Sequence, residues 1–116
     1  MKTIKVTSII TFIFLLTQLN AIGEEKWKIT GKIIEQTTGT ELPYVTIALN
    51  NLADSSLITG TISNEDGGFA LDKINRGDYY LTISFMGYKT QIIDHIDFSK
   101  NEQQINIGEI HLLPSS

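Results

Sequence analysis

The sequence predicts an all-β sandwich, about seven short antiparallel strands in two packed sheets. Three observations carry that reading. From Trp27 onward, apolar residues recur at every second position, the period of a strand with one buried face. Clusters of Gly, Asn, Asp and Pro break this alternation at short intervals, as turns do. Nothing between residues 27 and 113 carries the spacing of a long amphipathic helix.

In order along the chain, Trp27, Ile29, Gly31 and Ile33 form the first alternating set, with Lys28, Thr30 and Lys32 between them. The turn Thr38-Gly39-Thr40 and the pair Leu42-Pro43 follow, and proline there cannot donate to a ladder, so it marks a strand boundary. The second strand turns Val45, Ile47 and Leu49 inward against Thr46 and Ala48. Asn50 to Ser56 is a polar connection, read as the crossing between sheets. It leads into Ile58, Gly60 and Ile62, with Thr59, Thr61 and Ser63 on the other, half-exposed face where threonine is at home. Asn64-Glu65-Asp66-Gly67-Gly68 is the strongest turn, with the glycines a tight hairpin requires. Phe69 and Leu71 resume the alternation, and Asn75-Arg76-Gly77-Asp78 precedes the longest strand. There Tyr79, Leu81, Ile83 and Phe85 point one way and Tyr80, Thr82, Ser84 and Met86 the other. Gly87 marks a bend before a weaker strand, Tyr88 to Ile93. The last strand runs from Ile105 to Leu113, and its apolar parity changes across Gly108, which reads as a β-bulge.

The first 21 residues have a different character. Lys2 and Lys5 precede an apolar run from Ile9 to Leu16 broken only by Thr11, and Ala21 supplies a small residue after it. That is the order of a secretory signal, and the run is about half of the roughly 20 residues a membrane span needs. Cleavage is expected after Ala21, with Gly23 as the alternative because Leu19 is not small. The organisation is then a signal peptide helix at 1–21, a hinge at 22–26, one domain at 27–113 and a tail at 114–116. Removing the signal leaves seven basic against thirteen acidic residues, a net charge of −6. An acidic chain without a basic cluster gives no footprint for nucleic acid or anionic lipid. It has no cysteine, hence no disulfide, no thiol chemistry and no lipid-attachment cysteine. The domain freed by cleavage is expected to be soluble in the periplasm, without direct insertion in a membrane.

No residue pattern predicts catalysis, a cofactor or a metal. His95 and His111 stand far apart, outside any two-ligand motif. An EF-hand frame with Gly67 at its sixth position would put Ile62 at the first ligand position and Lys73 at the twelfth, so the frame fails. No serine sits in a G-x-S-x-G elbow, and Gly67 and Gly68 open no helix that could cradle a phosphate. A cross-link from Lys28 or Lys32 to Asn106 would need burial, whereas alternation turns both lysines toward solvent. The candidate interaction residues are Tyr44, Tyr80 and Tyr88, since exposed strand aromatics anchor contacts, although tyrosine is also simply a good strand former.

Taken in order, these segments resemble the carboxypeptidase regulatory-like domain. The resemblance rests on Ile29-Thr30-Gly31-Lys32-Ile33, Leu42-Pro43-Tyr44-Val45-Thr46-Ile47, Asp66-Gly67-Gly68-Phe69 and the run from Gly77-Asp78-Tyr79 to Met86-Gly87-Tyr88. It covers Trp27 to Leu113 and implies a transthyretin-like, seven-stranded Greek-key sandwich without catalysis of its own. In the peptidases that name the family such a domain sits beside a zinc catalytic domain, for which this sequence has neither the length nor the ligands. Behind a signal peptide in a Gram-negative envelope, the resemblance implies the N-terminal extension of a TonB-dependent outer-membrane receptor. That leaves a fragment of such a receptor or a free-standing module as readings, located at the outer membrane or in the periplasm. Starch-utilisation importers carry a Gly-Val pair where this sequence has Tyr44-Val45, so a glycan cargo is not implied. The transthyretin-like hydrolases of purine breakdown end in Tyr-Arg-Gly-Ser, and this sequence ends in Leu112-Leu113-Pro114-Ser115-Ser116. The expected function is protein contact with a receptor plug, barrel or other envelope protein. The competing class is an adhesin-like or carbohydrate-binding sandwich using the Asn50 to Ser56 loop or the tyrosines.

Overall fold

The computed structural model describes residues 26–99 and 103–115, and every regular element among them is a strand. The signal assigned to residues 1–21 lies outside the described residues, as does the hinge apart from Lys26. The strands are β1 (Lys26–Glu35), β2 (Thr46–Asn51), β3 (Leu57–Ile62), β4 (Gly68–Asn75), β5 (Tyr79–Ser84), β6 (Gln91–Ile93) and β7 (Gln104–Leu112). They form a three-stranded sheet, β4-β1-β7, packed on a four-stranded sheet, β3-β2-β5-β6. All strand pairs are antiparallel except β1 with β7. A parallel pair needs a long connection, and for the first and last strands the whole intervening domain supplies it.

The core lies between the sheets. Trp27, Ile29 and Ile33 of β1 and Phe69, Leu71 and Ile74 of β4 meet Ile47, Leu49, Leu81 and Ile83 of the opposite sheet, all buried. Fully burying each such side chain contributes about 1.5–3 kcal/mol, and with no disulfide this packing holds the domain together. Gly31 makes room for it. A Cβ there would lie 2.6 Å from the ring of Phe69, its partner across the β1–β4 ladder. In β7 the register against β1 slips between Thr30 and Lys32, at the bulge that the parity change around Gly108 predicts.

Two connections exchange the roles read from the sequence. Asn50 to Ser56 does not cross between sheets, because β2 and β3 are antiparallel neighbours in one sheet. The chain turns back there through Asn51, whose carbonyl accepts from the Ser55 N–H at 2.8 Å and whose N–H donates to Ser56 O at 2.9 Å. The crossing falls instead at Asn64–Gly68, between β3 of one sheet and β4 of the other. Asn64 Oδ1 accepts from the Asp66 and Gly68 N–H groups, each at 2.9 Å, which closes the turn. Gly67, at φ 81°, then presses on β1. Its carbonyl accepts from the Ile33 N–H at 2.8 Å, and a Cβ would come within 2.6 Å of Ile33 O. The same Asp-Gly-Gly chemistry thus builds a corner rather than a hairpin.

The alternation of β3 is also inverted relative to the sequence reading. Thr59 and Thr61 pair with the fully buried Leu49 and Ile47, so the threonines share the core face. Ile58, Gly60 and Ile62 point outward. The reason is Ser63, 2 % exposed, whose hydroxyl donates to Leu42 O and accepts from the Val45 N–H, both at 2.8 Å. The chain turns at Pro43 and Tyr44 between those two groups, so no ladder partners them, and a buried carbonyl and N–H need partners. Ser63 supplies both, and that fixes the odd-numbered residues of β3 inward.

β5, expected to be the longest strand, ends at Ser84 and is shorter than β1, because the chain turns at Phe85–Tyr88, where the Tyr88 N–H donates to Phe85 O at 3.0 Å. The strand expected over Tyr88 to Ile93 is regular only from Gln91, with Tyr88 making an isolated bridge to Pro114 instead. At the other end of the sandwich Phe98 packs edge-on against Trp27 at 5.1 Å, and the Arg76 guanidinium bonds to Phe98 O while lying 5.7 Å from the Trp27 ring. This cluster ties the segment before β7 to the core.

Candidate interaction surface

The residues of the four-stranded sheet that alternate with its core face form a second, solvent-facing surface. Thr46 sits between Ile62 and Ser84, Ala48 between Gly60 and Thr82, and Asn50 beside Tyr80. Ile92 of β6 lies opposite Thr82. Across four strands this face carries no acid or base apart from the Tyr80 phenol. Three isoleucines stand out from it, Ile58 at 44 % exposure and Ile62 and Ile92 at 61 % each. The sequence reading missed them. The available signal was the adjacent pair Leu57-Ile58, which breaks strict alternation and sits where β3 is irregular against β2.

The outer face of the three-stranded sheet is chemically opposite. It presents Lys28 and Lys32 from β1, Asp72 from β4, and Glu109 and His111 from β7. Lys32 Nζ lies 2.6 Å from Glu41 Oε1. That hydrogen bond, with the further negative charges of Asp66 and Glu109, raises the Lys32 pKa above its ordinary value. A protonated lysine is no nucleophile, and Asn106 lies opposite Thr30 with its Oδ1 accepting from the Gly108 N–H at 3.0 Å. Lys28 pairs with Gln104 in register and is exposed. The two histidines stay apart, His95 exposed after β6 and His111 3.4 Å from the exposed Glu109. Among the described residues no three His, Asp or Glu side chains gather to hold a metal.

The tyrosines occupy two ends of the sandwich. Tyr44, 63 % exposed at φ 64°, donates its N–H to Ser63 O just before β2. Tyr88, half-buried, stacks on Phe85 at 5.6 Å. Both lie where β2 begins and β5 ends, since Thr46 pairs with Ser84. Tyr80 is half-buried at the opposite end of β5, four residues from Ser84 and so about 13 Å away. Of the three, Tyr80 belongs to the uncharged face.

The family model for the CarboxypepD_reg-like domain matches residues 29–111, from the first core strand to the last. The chain belongs to this family. No curated protein matches it. Among solved structures, the CarboxypepD_reg-like domain is similar to the pilus 2b backbone protein of group B streptococcus, with TM-score 0.55 and 20 % identity over 78 % of this chain and 42 % of that one. It is similar to BcpA, the major pilin subunit of Bacillus cereus, with TM-score 0.58 and 15 % identity over 78 % of this chain and 30 % of that one. It also resembles 3-chlorocatechol 1,2-dioxygenase from Rhodococcus opacus 1CP, with TM-score 0.60 and 11 % identity over 80 % of this chain and 62 % of that one. The chain therefore spans less than two thirds of each, and the likeness is one of fold.

Proposed function

We propose that this CarboxypepD_reg-like domain acts by contact rather than by catalysis, and that the contact is made through the outer face of its four-stranded sheet. The observation that carries the reading is the absence of Asp, Glu, Lys, Arg and His across the strands of that face beside three exposed isoleucines. Covering such a surface strips no water from a charge, which is what a protein interface core requires. Its strands are held by ladders on a rigid sandwich, so binding orders little that was free beforehand. The family membership and the fold shared with a pilus backbone protein and a major pilin support a module used in assemblies.

The finer reading is a domain exported by its N-terminal segment that leads an outer-membrane receptor of the TonB-dependent type. The charge order of residues 1–21 and the family resemblance support it. The test is site-specific photocross-linking in a Gram-negative envelope, with p-benzoylphenylalanine placed at Tyr80 on the uncharged face or at Lys28 on the charged one. An adduct with an outer-membrane barrel protein from position 80, and none from position 28, is the expected result. No adduct from position 80, together with heat of binding to a glycan panel, would replace the contact module by a carbohydrate-binding sandwich.

A further inference from the structure

Each sheet ends in two edge strands, and three of the four are defended against pairing with another chain. Proteins blunt such edges with shortness, charge, proline or irregular backbone. β6 is three residues long. β4 carries Asp72 and Lys73, the latter at φ 58°. β7 carries Glu109 beside its bulge. β3 differs: Leu57-Ile58-Thr59-Gly60-Thr61-Ile62 has no charge and no proline, and among the described residues it has a strand neighbour on one side only. Its irregularity lies at the hairpin end, between the pairs Leu49 with Thr59 and Asn50 with Leu57, and leaves Thr59 to Ile62 regular. The Ser63 N–H donates to Val45 O, just before β2, at 2.9 Å, so alternation turns the main-chain groups of Gly60 and Ile62 toward the open side.

We propose that β3 pairs antiparallel with β3 of a second copy, joining two four-stranded sheets into one of eight strands. The inference deepens the contact-module reading and rests on it. A second copy fits by register. Both copies carry the same net negative charge, −4 for the full chain, which opposes association, but this seam and the face beside it hold no acid, so pairing here brings no two carboxylates together. An antiparallel seam between identical strands places Gly60 and Ile62 against Ile62 and Gly60 of the second copy, donors facing acceptors. Each exposed Ile62 then covers a glycine that has no side chain of its own. The seam is about 13 Å long and buries far less than the roughly 1,600 Å² of a standard interface, so the dimer is weak and concentration-dependent.

The experiment is sedimentation velocity on the full chain from about 10 μM to about 1 mM, with amide NMR over the same range. The expected result is a monomer that shifts to dimer as concentration rises, with the Gly60 and Ile62 amides gaining protection from exchange. Ile62→Lys abolishes the shift, and Ile92→Lys, on the same face but at the other edge, leaves it intact. A monomer at every concentration overturns the proposal, as does a dimer lost equally in Ile92→Lys, which would mean stacking of faces. A monomer that still cross-links a barrel protein from position 80 removes the second copy and leaves the contact reading standing.

Discussion

The two outer faces of this sandwich are built from the same period-2 alternation and end in opposite chemistry. On β4-β1-β7 the outward positions carry Lys28, Lys32, Asp72, Glu109 and His111, as expected of a solvated sheet. On β3-β2-β5-β6 they carry Thr, Ala, Asn, Ser, Gly, Tyr and three isoleucines. The difference teaches that alternation gives a strand two faces without saying which is buried. In β3 one buried polar residue decides it. Ser63 satisfies Leu42 O and the Val45 N–H, and the isoleucines are turned to solvent as a consequence.

The largest expected effect breaks that device. Ser63→Val leaves two buried main-chain groups without partners, each worth about 1–3 kcal/mol, and should cost about 3 kcal/mol of stability in urea unfolding. Thr30→Val on the charged face, where no comparable bond is lost, should stay within about 0.5 kcal/mol. Equal losses in the two variants would remove Ser63 from its role.

A smaller effect separates the sheets by pH. The Glu35 carboxylate, at the end of β1, accepts from the hydroxyls and N–H groups of Thr37 and Thr38. The Thr37 hydroxyl and then the Thr38 hydroxyl hold its pKa below the ordinary carboxylate value, against the loss of hydration, which raises it. A pKa lower in the folded than in the unfolded chain contributes stability that is whole above the unfolded value and is lost as pH falls through the folded one. Glu35→Gln should therefore flatten the acid limb of the stability curve below about pH 4.5. Ile92→Thr, on the face without acids, should leave that limb unchanged. An acid limb identical in wild type and Glu35→Gln would assign the acid sensitivity elsewhere.

Most of the fold was legible because most strands obey the rule that apolar residues point inward. Trp27, Ile29 and Ile33, then Ile47 and Leu49, then Leu81 and Ile83 all lie where alternation places them. The Gly108 bulge was legible too, since an extra residue leaves a parity change in the sequence. β3 was not, because its parity is set by hydrogen bonds to Leu42 and Val45, about twenty residues earlier. The Asn64 corner looks like a hairpin in the sequence because turn chemistry fixes the local backbone and not the sheet that the next strand joins. The pairing of β1 with β7 is equally non-local. The candidate surface was legible in Tyr80 alone, and its isoleucines stayed hidden behind the inverted strand.

The chain has no cysteine, so a single introduced thiol reports its own exposure without background. Ile58→Cys, Thr59→Cys, Thr61→Cys and Ile62→Cys, treated with a water-soluble thiol reagent at low protein concentration, read the parity of β3 directly. Fast labelling at positions 58 and 62 and slow labelling at 59 and 61 is the predicted result. The reverse pattern would turn the isoleucines back into the core and contradict the uncharged contact face.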